Sequence, residues 1–184
     1  MSQSSRLSRT DWTDAALRAM ADTGTAGINI EQLARHLGTT KGSFYHHFEN
    51  RQALLVAALD RWEEIVAVDL NVSRTITDPR SRLLAGSIVG IEDNLDGFVD
   101  LALSSNLGEP AVAEALTRVN EHRLLWLVAA LRDAGFEADD AHDRAIRGLS
   151  AYLGLYQLQR TLGEKFDRSA LVNQITAIVD DMLR

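Results

Sequence analysis

The stretch INIEQLARHLGTTKGSFYHHFENRQALL, Ile28 to Leu55, decides the fold. Ile30, Leu33, Ala34 and Leu37 recur at helical spacing, and Gly38 stops that helix. Thr39 or Thr40 starts a second helix, whose buried side is Phe44, Tyr45 and Phe48. Two short helices with a tight turn, running into a third, predict a helix-turn-helix that offers its second helix to a DNA major groove.

Working outward, the pattern stays helical. A preceding helix is expected from a cap at Thr10 or Asp11, carrying Trp12, Ala15, Ala16, Ala19 and Met20, to Gly24. Asn29 can cap the next helix, with Gln32 as a capping-box partner. Asn50 can cap a long helix to about Asn71. Pro79 suits the first turn of another. Further helical blocks are Arg80 to Asp93, Phe98 to Ser104, Pro110 to Ala134, Ala138 to Leu162 and Arg168 to Leu183. The expectation is an all-α chain of about nine helices. A three-helix head, 1–49, precedes a helical body, 50–184, in which 50–71 is the connecting helix.

Several body helices are apolar on more than one side, including Leu124 to Leu131 and Leu149 to Leu158. Such helices need neighbours on several faces. Either they sit centrally or their outer faces meet a second subunit; the second is favoured, since one reading head spans too little DNA for strong specificity.

Composition removes other classes. The chain has 184 residues and no cysteine, which excludes disulfides and thiolate metal sites. The start MSQSSRLSR lacks the apolar segment of a signal peptide, and no apolar run approaches the ~20 residues that span a bilayer. A cytoplasmic protein without membrane association is expected. Net charge is −7, but unevenly spread. Residues 1–51 hold six basic side chains (Arg6, Arg9, Arg18, Arg35, Lys41, Arg51) against five acidic ones. The acidity therefore belongs to the body, and DNA affinity rests on local phosphate contacts. No nucleophile elbow, phosphate loop or dinucleotide fingerprint occurs. Asp93, Asp96 and His122 have no spacing that demands acid–base chemistry. His36, His46 and His47 lack the carboxylate or cysteine company of a metal site. No catalytic residue, cofactor or metal is expected.

With those residues laid out, the chain resembles the tetracycline-repressor (TetR) family of transcription regulators. The resemblance rests on Leu-Ala at the centre of one helix, then Leu-Gly, a capping Thr, Lys-Gly, an aromatic pair, His-Phe, a polar pair and Leu-Leu. It covers the first third of the chain in detail, and only the helical layout beyond Asn71. Thr39 replaces the family's usual apolar residue before the capping Thr, and Arg51 stands where many members carry Lys.

The resemblance implies a double-stranded DNA operator read by a homodimer, with the last two long helices forming a four-helix dimer bundle. It nominates Thr40, Lys41, Gly42 and Ser43 for the groove, and Tyr45 and His47 as backbone clamps. His46, Asn29, Gln32 and Arg51 are added as further contacts, and Arg6 and Arg9 as an arm. Each has a plainer alternative: Tyr45 as core, Thr40 as a cap alone, the arm as a solvated tail. A ligand-released repressor is the expected function, and a constitutive DNA-binding regulator is the rival. Aromatic content and family habit nominate Trp62, Phe98, Leu101, Trp126, Tyr152 and Tyr156 as pocket walls for a small, largely apolar ligand. Asn94, Asn120, Glu121, His122 and Gln157 are its candidate polar anchors.

Overall fold

A computed structural model describes residues 7–88 and 95–184. Among them the chain forms nine α-helices and no strand: α1 (Arg9–Thr23), α2 (Ile30–His36), α3 (Lys41–Tyr45), α4 (Arg51–Ser73), α5 (Pro79–Ile88), α6 (Leu95–Leu103), α7 (Pro110–Asp133), α8 (Ala138–Leu162) and α9 (Arg168–Met182).

The caps explain where these helices begin. Asn50 Oδ1 accepts from the Ala53 amide at 2.9 Å, and Asp167 Oδ1 from the Ala170 amide at 2.8 Å. Each such cap stabilises a helix by about 1 kcal/mol. The first helix starts earlier than the sequence suggests. Ser8 is the cap, and it exchanges bonds with Asp11: the Asp11 amide donates to Ser8 Oγ at 3.2 Å, and the Ser8 amide to Asp11 Oδ2 at 2.6 Å. This reciprocal box satisfies two free amides at once, so it outcompetes Thr10 or Asp11 acting alone. Helix α6 already includes Leu95, three residues before the expected start at Phe98. The expected end of the preceding helix at Asp93, and the candidate anchor Asn94, lie outside the described residues.

The core is continuous from end to end. Trp12 packs edge-on against Phe44 with ring centroids 5.4 Å apart, and Phe44 stacks on Phe48 at 5.7 Å. From there one apolar cluster passes through Leu54, Leu59 and Trp62 of α4, Val119 and Trp126 of α7, and Leu149 of α8 to Val179 and Met182 of α9. Helix α1 packs on both α4 and α6, and α7, α8 and α9 pack in succession. Leu155, Tyr156, Leu171 and Ile175 form a smaller second cluster.

Not every apolar residue is covered. On α8, Ile146, Leu158 and Leu162 stay exposed, as do Ser150, Ala151 and Gly154. Leu125 interrupts the apolar run of α7 by facing outward.

Candidate nucleic-acid interface and ligand cavity

Helix α2 ends in a tight reversal. Gly38 adopts φ +65°, and the Thr39 amide donates back to the Ala34 carbonyl at 2.9 Å. A left-handed residue here favours glycine. The chain then enters α3 at Thr40, whose Oγ1 accepts from the Ser43 amide at 3.3 Å. Phe44 is fully buried, which fixes the rotation of α3 and leaves its other side outward.

That outward side carries most of the nominated residues. Thr40, Lys41, Gly42, Tyr45 and His46 are exposed, and Ser43 and His47 are half-buried. Tyr45 is 54% exposed, yet its ring meets Phe44 edge-on at 5.1 Å. The ring is anchored while its hydroxyl is available. A Cβ on Gly42 would meet nothing nearer than Thr40 Oγ1 at 3.6 Å. Nothing inside the fold requires glycine there. Asn29 and Gln32 are also exposed, but Asn29 Oδ1 is occupied as the α2 cap, accepting from the Glu31 and Gln32 amides at 3.1 Å each.

Lys41 is not idle in the free protein. Its Nζ sits 3.0 Å from Glu31 Oε1. The hydrogen bond and charge of Glu31 raise the Lys41 pKa, keeping the ammonium protonated.

Two nominated arginines are tied to the fold of the head, Arg51 half-buried and Arg9 exposed. Arg51 Nε donates to the Ile28 carbonyl at 3.0 Å, and its Nη2 donates to the Thr25 carbonyl. Its guanidinium closes the turn between α1 and α2, so in the free protein the side chain expected to meet phosphate serves as an internal tie. Arg9 is likewise no mobile arm. It opens α1, donates to the His47 carbonyl at 2.8 Å, and lies 4.2 Å over the Phe48 ring. Arg6 lies outside the described residues.

The body holds a cavity of about 50 Å³ among α4, α5, α6, α7, α8 and α9. Of the residues nominated as pocket walls, Trp126 and Tyr152 line this cavity; Trp62, Phe98, Leu101 and Tyr156 do not. The reasons are local. Trp62 is buried behind Asp96, to whose Oδ1 its Nε1 donates at 2.7 Å. Phe98 packs edge-on against Tyr156, with centroids 5.6 Å apart, inside the second cluster. Leu101 is only partly buried on α6 and does not reach the cavity. None of the expected polar anchors Asn120, Glu121, His122 or Gln157 lines it either.

The polar chemistry comes instead from Asp69, Asp96 and Arg123. Arg123 is 5% exposed; its Nη2 donates to Asp96 at 2.7 Å and its Nη1 to Asp100 at 2.6 Å. Burial opposes its charge, but the two carboxylates more than compensate and raise its pKa. Burial pushes the Asp100 carboxyl up despite that partner. Asp69 is raised too, first by burial and then by the charge of Asp96. The Tyr152 and Tyr156 hydroxyls meet at 3.1 Å, and burial lifts Tyr156 to about 12. Trp126 Nε1 donates to Ser73 Oγ at 3.0 Å, which leaves its ring free to wall the cavity.

Comparison with known proteins falls on the same elements. Residues 13–58, from α1 into α4, match the family model described as bacterial regulatory proteins, tetR family. Through that head the chain is similar to regulators of the TetR family. It is a DNA-binding transcriptional regulator, and its relatives among curated proteins are regulators rather than enzymes. The BetI regulator of Pseudomonas paraeruginosa is 27% identical, over 96% of this chain and 93% of that protein.

Solved structures share the TetR fold across the whole length. A TetR regulator from Legionella pneumophila is 14% identical with a TM-score of 0.83, covering 97% of this chain and 98% of that one. A transcriptional regulator from Saccharomonospora viridis, solved in complex with choline, is 21% identical with a TM-score of 0.75, covering 95% and 94%. At these identities the likeness speaks to fold. No described helix is long and apolar enough to cross a membrane.

The detailed TetR resemblance in the sequence ends at Asn71, and beyond it only the helical layout matches. The Asp96–Arg123–Asp100 triad was missed. One signal was present: Asp100 interrupts the apolar run Phe98 to Leu103, where a charge needs a buried partner.

Proposed function

We propose that this regulator is a homodimeric repressor that grips a near-palindromic operator and is released by a small organic cation. The head, 1–49, is the reader, and the body, 50–184, is the sensor and dimer-forming part. The groove and phosphate contacts are assigned to Gln32, Thr40, Lys41, Gly42, Ser43, Tyr45, His46 and His47, with Asn29 acting as a cap. The observation that carries the reading is the outward face of α3. Buried Phe44 backs a row of exposed polar side chains beside a glycine the fold itself does not need. DNA as target implies action in the cytoplasm.

The dimer contact is assigned to α8 and α9. The exposed stripe of Ile146, Leu158 and Leu162, with small residues between them, suits close helix packing across a two-fold axis. Two α3 helices would then enter successive major grooves about 34–36 Å apart.

The cavity supports a cation better than the largely apolar ligand expected from composition. Asp96 and Asp100 share a single guanidinium, Arg123, and Asp69 lines the same cavity, near enough to Asp96 to feel its charge. Trp126 and Tyr152 add the aromatic walls that attract ammonium groups. Choline in the Saccharomonospora regulator is the natural first probe. One observation favours the rival constitutive reading: about 50 Å³ has room for a few waters, against ~300 Å³ or more in ordinary ligand pockets. Ligand entry must therefore open the cavity. Met182 packs on bare Gly148 at its wall and is the side chain best suited to yield.

The test is selection of bound sequences from a random DNA pool, then titration of the selected complex with choline and with its neutral carbon isostere. A palindromic site released by choline and not by the isostere supports the proposal. A palindromic site indifferent to both supports the constitutive reading.

A further inference from the structure

The corner between α1 and α2, residues 21–28, is held by three separate elements of the body. Arg51, at the start of α4, binds the Thr25 and Ile28 carbonyls. Asn106, just beyond α6, accepts from the Thr25 amide at 3.4 Å. Arg160, near the end of α8, donates to the Ala21 carbonyl at 3.2 Å and to the Asp22 carbonyl.

Each contact meets a need of α1. The last carbonyls of a helix lack intrahelical partners and form the negative end of its dipole. Helix α1 has no basic residue in its last turn. Gly24 returns one amide to the Met20 carbonyl, and Arg160 supplies from α8 the cation that α1 lacks. The approach from α6 is equally close. Gly24 has φ +64°, and a Cβ there would lie 2.4 Å from Asn106 Oδ1. The orientation of α1 is the orientation of the reader, because Trp12 of α1 packs on Phe44 of α3.

Arg160 is exposed, and it lies on the same helix as Leu158 and Leu162. A single side chain thus connects the helix assigned to the dimer axis with the helix that carries the reader. We propose that Arg160 and Asn106 are positioning residues: they fix the distance between the two heads, and so select the spacing of operator half-sites without touching DNA. The inference rests on the dimer described above.

The experiment measures binding of the full-length protein to a set of selected operators. Half-sites are held constant and their separation is changed by single base pairs. Wild type, Arg160→Ala, Asn106→Ala and the double variant are compared, with Arg160→Lys as the conservative control. The wild type is expected to favour one spacing about ten-fold over its neighbours, which is the discrimination of about 1.4 kcal/mol. The alanine variants should flatten that preference to about two-fold while keeping the half-site sequence and dimer mass. Arg160→Lys, still able to donate to carbonyls, should retain most of it. An unchanged spacing preference in the double variant overturns the proposal, as does an equal loss of affinity at every spacing. A wild type that sediments as a monomer and ignores spacing overturns the dimer reading itself, and the proposal with it.

Discussion

Arg123 and Asp100 form an ion pair at 2.6 Å with both side chains out of water, at 5% and 3% residual exposure. Asp96 at 2.7 Å and Asn120 Oδ1 at 3.0 Å also accept from the guanidinium, and Asp96 ties it to Trp62. Removing the cation leaves two carboxylates facing each other in a confined space. Arg123→Ala should destabilise the fold by about 3–5 kcal/mol, the usual consequence of stranding buried charge. Urea unfolding measures it; a change under about 1 kcal/mol would mean that water already reaches the site.

Asp69 gives the cation reading a pH signature. A cation favours the ionised carboxylate, so binding and protonation compete. The Asp69 pKa lies above the ordinary carboxylate value because of burial and Asp96. Choline affinity should therefore weaken as pH falls through that raised value, beginning at a higher pH than for a free aspartate. Asp69→Asn should weaken binding and flatten the profile. Calorimetry at several pH values decides it; an unaltered profile in the variant would remove Asp69 from the site.

On the proposed DNA face, a phosphate bound by Lys41 would have to displace Glu31. Lys41→Ala should lower operator affinity and reduce the steepness of the salt dependence by about one counterion. Glu31→Gln should act oppositely and raise affinity a few-fold, since it removes a negative charge beside the phosphates. Gel shifts across a salt series read both. Equal behaviour of Glu31→Gln and wild type would mean that the pair does not restrain Lys41.

Arg51 separates an internal tie from a DNA contact. Because its guanidinium is committed to the Thr25 and Ile28 carbonyls, Arg51→Ala should lower stability by about 1–3 kcal/mol. The salt dependence of operator binding should keep the wild-type slope. A slope reduced by one counterion, with stability intact, would restore Arg51 to the phosphate contacts.

The helices were legible because their signals are local: Asn29, Thr40 and Asn50 cap where their types and positions suggest. Ser8 was missed as a cap because Thr10 and Asp11 offer similar chemistry within one turn, and only the reciprocal bond decides. Arg51 and Arg9 were assigned outward because their partners are carbonyls, and a carbonyl leaves no mark in a sequence. The cavity is legible only in two of its walls. Trp126 and Tyr152 were found from aromaticity, but which aromatics face a void depends on helix rotation set by distant packing. Arg123 stands 23 residues beyond Asp100 and 27 beyond Asp96, on a different helix from both, so no spacing rule joins them.

The unbroken core from Trp12 to Met182 has a thermodynamic consequence. A reader seated on its own core would melt by itself, and the body's stability would be irrelevant to it. Here Trp12, Leu17 and Met20 share one packed interior with the cavity walls. Reader and body should then unfold in a single cooperative step. Any compound that binds the folded body must raise the melting temperature of the reader as well, even when it lowers the reader's grip on DNA.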